Sequence, residues 1–369
     1  MKVAIIAPLH HYNLYSKQED KVSKFYMGQG QYHWSSALKE MNHDVLEIRS
    51  TDIFNSFILN RLINDNRKIS RLFNLITIYT PESIKRFIPI FSNKIKRDLV
   101  EILSFKPDLV IFSGGVYLDI YSIDFFKKIK NRISNVKTIL LNGMSPICYN
   151  SRFEKKIVKY IDCFFTNDFY HSIEWKMLGA KKSIALPISA INPRIHHPYN
   201  EEKDKTPYCD VSFVGTFYDD RHKIFEYLYV NGINIKVWGT ISQNIDPHSI
   251  FWEFYQGIAN PIDLLRIISS SKISINLNPK QIQYGGNMRT FEIPAVKTLQ
   301  IIDRYDEAWF LKDEEIVLFN EKEDLLKKIK YYIANDIERE RIAINGYNRV
   351  LNCHTYYNRM KEIIDEVWS

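Results

Sequence analysis

The sequence predicts an α/β protein made of two doubly wound parallel-sheet domains that face each other across a cleft. Three observations predict it. Short β-rich apolar runs alternate with longer mixed segments in both halves, as βαβ units do when helices cover both faces of a parallel sheet. Near residue 200 the alternation is broken by Asn192-Pro193-Arg194-Ile195-His196-His197-Pro198 and the charged stretch 201–207, which lack periodicity and read as a linker. At 369 residues the chain also has room for two domains that each bury a core.

In order, the first half is expected to place strands at 3–7, 45–48, 109–112, 138–141, 163–166 and 183–186. Each is a run of four or five residues rich in Val, Ile, Leu and Phe. Helix-like stretches at 31–41, 94–104, 125–130, 153–160 and 172–178 separate them. Residues 55–105 carry no strand pattern and read as two or three helices inserted in the alternation. After the linker the pattern restarts with a strand at 210–215, a helix at 221–229, a strand at 235–238 and a helix at 262–269. A strand at 273–277, a helix opening on Arg289, strands at 299–302 and 316–318, and two or three helices over 322–368 follow. The expected division is 1–195, 205–352, and a final helix, 353–369, packing back on the N-terminal domain.

Composition narrows the class. An apolar fraction of 45% and a charged fraction of 25% are those of a globular protein. No apolar run reaches the length of a membrane span. Met1-Lys2-Val3-Ala4-Ile5-Ile6-Ala7-Pro8 is too short an apolar run for a signal peptide and reads as a first core strand. Cys148, Cys163, Cys209 and Cys353 form no C-x-x-C pair, so neither disulfides nor structural zinc is expected, and a reducing cytoplasm fits. The net charge of +7 is concentrated in part between Arg61 and Arg97, where Arg67, Lys68, Arg71, Lys85, Arg86, Lys94 and Lys96 interleave with Leu, Ile and Phe. That segment reads either as a solvated helical face or as a peripheral contact with the anionic inner face of a membrane. A nucleic-acid partner is not expected.

The most informative segment is Tyr284-Gly285-Gly286-Asn287-Met288-Arg289-Thr290-Phe291-Glu292, directly after the run Ile273-Ser274-Ile275-Asn276-Leu277. A strand, a glycine-bearing loop and a helix opening on an arginine make an anion site from loop N–H groups, helix dipole and guanidinium. Glu292, one turn into the helix, is placed to accept hydrogen bonds from a vicinal diol. Phosphate beside a diol describes a nucleotide sugar. The competing reading is an ordinary strand–turn–helix with an exposed arginine and a capping glutamate.

In the first half, Pro8-Leu9-His10-His11-Tyr12 follows the first strand, and Gly28-Gln29-Gly30-Gln31-Tyr32-His33-Trp34 leads into the first helix. Both lie where a doubly wound sheet binds ligands. Gly28, Gly30 and Tyr32, with His10 or His11 as base or hydroxyl partner, are candidates for an acceptor site; each histidine taken alone reads equally as a loop residue. His33 occupies the third glycine position of a dinucleotide fingerprint, which excludes that motif. Gly114-Gly115 and Asn142-Gly143 also end strands. His196-His197 reads as linker, because no third ligand at metal spacing accompanies it.

The ordered motif set resembles the GT-B glycosyltransferases, most closely the CgeB-like (spore maturation protein) branch related to family 4 transferases. It comprises Val211-Ser212-Phe213-Val214-Gly215-Thr216 with Arg221, then Leu277-Asn278-Pro279. Asn287-x-Arg289-x-Phe291-Glu292-x-x-Ala295 follows, and the tail runs Glu315-Ile316, Tyr331-Tyr332, Glu340-Arg341-Ile342-Ala343-x-x-Gly346 and His354-Thr355-Tyr356 to Arg359. It covers residues 160–365; the first 150 match in architecture alone. The resemblance implies that Glu292 holds the donor ribose and that Gly215, Thr216 and Arg221 lie near the diphosphate. With the loop Tyr284, Gly286, Asn287 and Met288 and the cations Lys280 and Arg289, these are the donor-site candidates; Arg289, Glu292 and His10 are the catalytic ones. No Asp-x-Asp occurs, so metal-independent hexosyl transfer without a cofactor is expected, with retention of anomeric configuration as the favoured outcome. Related enzymes carry a second glutamate eight positions before the ribose glutamate. Here Tyr284 stands there, so the contact to the donor sugar differs. The acceptor is expected to be a glycan, a lipid-linked sugar or another hydroxyl compound. A nucleotide-sugar epimerase or phosphorylase on the same scaffold, and a non-catalytic nucleotide-sugar or polyanion-binding protein, are the alternatives.

Overall fold

Both sheets are built entirely from parallel strands, and this explains why their central members read as unbroken apolar runs. All five residues of Leu109–Ser113, for example, are buried. The structure, a computed structural model, describes residues 1–7, 29–50, 87–115, 118–148, 152–199, 209–259 and 261–369, and positions 76, 80 and 84. They form two units: Met1–Ile188 with Tyr356–Ser369, and Ser189–Thr355.

The first unit runs β1 (Lys2–Ala7), α1 (Gln29–Glu40), β2 (Asp44–Arg49), α2 (Pro89–Phe105), β3 (Leu109–Ser113), α3 (Ile123–Arg132) and β4 (Lys137–Leu141). It continues through α4 (Arg152–Ile157), β5 (Cys163–Thr166), α5 (Phe169–Met177) and β6 (Ser183–Ala185). The sheet order is β2-β1-β3-β4-β5-β6. Helix α2 begins five residues before the expected position 94. Pro89 stands in its first turn, where a missing N–H costs nothing, and the added turn buries Phe91. Of the insertion expected at 55–105, α2 is the regular element among the described residues; most of the rest, with the basic segment from Arg61, lies outside them.

The second unit runs β7 (Val211–Val214), α6 (Arg221–Val230), β8 (Ile235–Trp238), α7 (Phe251–Phe254), α8 (Pro261–Ser269) and β9 (Ile273–Asn276). Then come α9 (Arg289–Ala295), β10 (Leu299–Ile302), β11 (Val317–Leu318), α10 (Lys322–Ala334) and α11 (Asp336–Cys353). Its order is β11-β10-β9-β7-β8. The last helix, α12 (Tyr356–Trp368), belongs to the first unit and packs on α1. The single turn α7 escaped the sequence reading because four residues are too few to show a period.

Each order places consecutive strands on opposite sides of a starting strand. In the second unit β8 lies on one side of β7 and β9 on the other, so a topological switch point opens between the carboxyl ends of β7 and β9. The loops there are tightly packed. Gly215 donates its N–H to the Trp238 carbonyl at 2.9 Å. A Cβ on Gly239, whose φ is +149°, would stand 1.6 Å from the Gly215 oxygen. Only glycine satisfies both the backbone angle and that approach. Gly239→Ala is therefore expected to destabilise the second unit by about 3 kcal/mol or more, and urea unfolding followed by tryptophan fluorescence reads it.

Candidate functional site

At the switch point of the second unit, two arginines bind backbone carbonyls at and just past the ends of β7 and β9. Arg221, the first residue of α6, donates from Nη1 to the Thr216 oxygen at 3.0 Å and from Nη2 to the Leu277 oxygen at 2.9 Å. One guanidinium thus joins the segments that leave β7 and β9. Its plane lies 3.9 Å from the Tyr218 ring centroid, and burial lowers its pKa, with Tyr218 opposing. Arg289 donates from Nε to the Val214 oxygen at 3.1 Å and from Nη1 to Glu292. Both cations are thereby fixed at the end of β7 before any anion arrives.

The loop before α9 is held by side-chain amides. Asn287 accepts the Arg289 N–H at 2.8 Å and donates to the Oδ1 atoms of Asn276 and Asn278, each at 2.9 Å. Asn276 in turn donates to Gln300 at 3.0 Å, and Asn278 donates from its backbone to Asp303 at 3.0 Å. Burial raises the Asp303 carboxyl, opposed by the Asn278 N–H and by Arg304 and Arg221. Gly286 lies where a Cβ would meet Thr290 Oγ1 at 2.7 Å and the Trp309 ring at 2.8 Å, so this loop needs a glycine to lie flat. Phe291 turns into a core with Trp309, Phe310 and His354, which leaves Arg289 and Glu292 on the other face of α9. With seven residues and Pro294 inside it, α9 adds little dipole. The positive field comes from the guanidiniums.

Glu292 is 4% exposed. Burial raises its pKa, but Arg289 and His196 outweigh that and hold it at about 2. His196 Nε2 lies 3.7 Å from Glu292 Oε1. Sequence reasoning assigned His196 to the linker; the structure brings it against the central carboxylate. Its Pro-flanked, aperiodic surroundings carried no signal for that role.

The other candidates are placed as follows. Gly215 packs on the Phe213 ring, and Thr216 supplies the carbonyl that Arg221 binds. Lys280 is largely exposed, 3.5 Å from Asp219. Tyr284 and Met288 are exposed on the loop. In the first unit Gly30 lies in the first turn of α1 and Tyr32 is half-buried on it, while His10, His11 and Gly28 lie outside the described residues. Sequence reasoning passed over Glu154 in α4. It is buried at the carboxyl ends of β3 and β4, where it accepts the Gly115 N–H and an Asn142 amide proton at 2.9 Å. Burial pushes it up to about 7, against the Gly115 bond. Among the described residues, no group of three or more His, Cys, Asp and Glu could hold a metal ion, and no helix is long and apolar enough to cross a membrane.

Residues 221–365, which include Arg221, Arg289 and Glu292, match a family model described as "Glycosyl transferase-like". No curated protein matches the sequence. Among solved structures the chain is similar to the sucrose-phosphate synthase of Thermosynechococcus elongatus at 13% identity, TM-score 0.60, covering 99% of this chain and 98% of that one. A glycosyltransferase from Rickettsia africae matches at 13% identity, TM-score 0.59, covering 99% and 97%. The Anabaena protein HepE, solved with UDP-glucose, matches at 9% identity, TM-score 0.60, covering 100% and 99%. These likenesses show the fold, GT-B, with two Rossmann-like domains.

The charge on Glu292 has a pH signature. Its folded pKa of about 2 lies below the ordinary 4.5, so its stabilising contribution is complete above pH 5 and is lost as pH falls towards 2. Glu292→Gln should remove that dependence. In urea titrations the wild type is expected to lose about 2 kcal/mol more than the variant between pH 5 and pH 3.

Proposed function

We propose that the protein is a glycosyltransferase that moves a sugar from a nucleoside diphosphate sugar to a hydroxyl acceptor. The observation that carries this reading is the pair Arg221 and Arg289, fixed by carbonyls at the switch point beside the ionised Glu292. In the reaction the bond between the sugar C1 and the β-phosphate oxygen breaks, and a bond from the acceptor oxygen to C1 forms. The acceptor passes its proton to His10 or His11 as base, and the nucleoside diphosphate leaves with the bonding electrons. The leaving phosphate develops charge, and prepositioned guanidiniums stabilise it without reorganising. Glu292 receives the ribose hydroxyls. Lys280, close in sequence to the Asn278–Asp303 end of the site, is the third cation of a metal-independent mechanism. The glycosyltransferase-like family match and the solved UDP-glucose complex of HepE support a UDP-sugar as donor.

Retention of configuration, a hexose as the transferred group and a glycan or lipid-linked acceptor complete the proposal, resting on the motif resemblance. His10, His11, Gly28, Gly30 and Tyr32 are its acceptor-side residues. For a lipid-linked acceptor, the basic 61–97 segment is the proposed peripheral contact with an anionic leaflet.

Calorimetry with UDP, together with release of UDP from a panel of UDP-sugars, tests the reading. Arg289→Ala and Arg221→Ala should each weaken UDP binding by roughly 10- to 100-fold, the worth of a charge-assisted hydrogen bond. Binding without turnover of any UDP-sugar would instead favour a non-catalytic nucleotide-sugar-binding protein. Turnover should persist in EDTA. Complete loss, restored by manganese or magnesium, would contradict the metal-free mechanism.

A further inference from the structure

Glu292 is well placed to recognise a diol only if its carboxylate is held in one orientation, and Arg289 engages it through Oε2 alone. The second holder comes from the segment that enters the second unit. The backbone N–H of Asn192 lies 3.0 Å from His196 Nδ1, and a backbone N–H can only donate. The Asn192 carbonyl oxygen lies 3.1 Å from the same Nδ1, so Asn192 alone does not assign the tautomer; the ionised Glu292, which can only accept, favours the proton on Nε2. That nitrogen faces Glu292 Oε1 at 3.7 Å. The His196 backbone N–H also bonds the Asn192 oxygen at 2.8 Å, so the ring hangs from a closed turn. The ring is 8% exposed, which shields the approach from water.

We propose that His196 is a positioning residue for Glu292: it fixes the roll of the carboxylate so that a ribose diol is recognised. A carboxylate offers about four lone-pair sites, two on each oxygen. Arg289 takes one on Oε2, and His196, at 3.7 Å, faces one on Oε1. One site on each oxygen is left, which matches the two hydroxyls of a vicinal diol. The charged or titratable groups facing this carboxylate are Arg289 from α9 and His196 from the entering segment. Without His196 the carboxylate would turn about Arg289, and the two remaining acceptors would lose their common direction.

This inference rests on the donor-site reading above, and the experiment separates the two. UDP and 2′-deoxy-UDP are titrated into wild type, His196→Ala and His196→Gln at pH 7.5. Wild type should bind UDP about tenfold or more tightly than its deoxy analogue, since a hydrogen bond to a charged group is at stake. His196→Ala should bring that ratio close to one. His196→Gln, whose amide N–H can reach the place of Nε2–H, should restore most of it. A merely structural role would weaken both nucleotides alike and leave the ratio unchanged. An unchanged ratio in His196→Ala overturns the proposal. A wild type that binds both equally overturns it too, while the diphosphate reading stands. A wild type that binds neither nucleotide overturns both.

Discussion

The second unit depends on one guanidinium that joins two strand ends. The order β11-β10-β9-β7-β8 brings β7 and β9 side by side, but the chain leaves them in opposite directions, so the segments that follow them part over a gap. Arg221 closes it by donating to Thr216 and Leu277. A planar fork of N–H groups serves two such carbonyls at once without being able to lose its charge. The same atoms that complete the fold therefore leave a fixed positive charge where an open α/β sheet accepts its ligand. Arg289 repeats the arrangement on the Val214 carbonyl.

A positive site buried in this way needs a counter-charge. Glu292 supplies it, and the strength of that coupling is seen in a carboxyl that stays ionised in spite of its burial. A buried ion pair is maintained only where geometry is held. Here it is held by amides: Asn287 fixes the first N–H of α9, and Asn276, Asn278 and Gln300 fix Asn287 in turn. The aromatic core of Phe291, Trp309, Phe310 and His354 anchors the opposite face of the helix. Packing below and amide bonds above leave α9 little freedom, although a helix of seven residues has little stability of its own.

Much of this was legible in the sequence, and the reasons are specific. Strands such as Ile273–Asn276 and Leu299–Ile302 are buried on both faces, so composition alone marks them. Arg289 and Glu292 were candidates because a strand end, a glycine loop and a helix start coincide within one short stretch; Arg221 was a candidate through the motif resemblance. What was hidden depends on contacts distant in sequence. Arg221 meets the Leu277 oxygen 56 residues away. His196 lies 96 residues before Glu292, in a stretch whose prolines suggested only a linker. Glu154 had the look of one more charge on a surface helix beside Lys155 and Lys156; its burial follows from the packing of the Gly115 and Asn142 loops around it.

The proposed function requires a nucleoside diphosphate at the switch point of the second unit. A crystal structure of the protein soaked with UDP tests that directly. It should show the β-phosphate within hydrogen-bond distance of the Arg221 or Arg289 guanidinium and the ribose hydroxyls at Glu292. Nucleotide bound elsewhere in the protein, with both guanidiniums still on their carbonyls and no phosphate beside them, would contradict it.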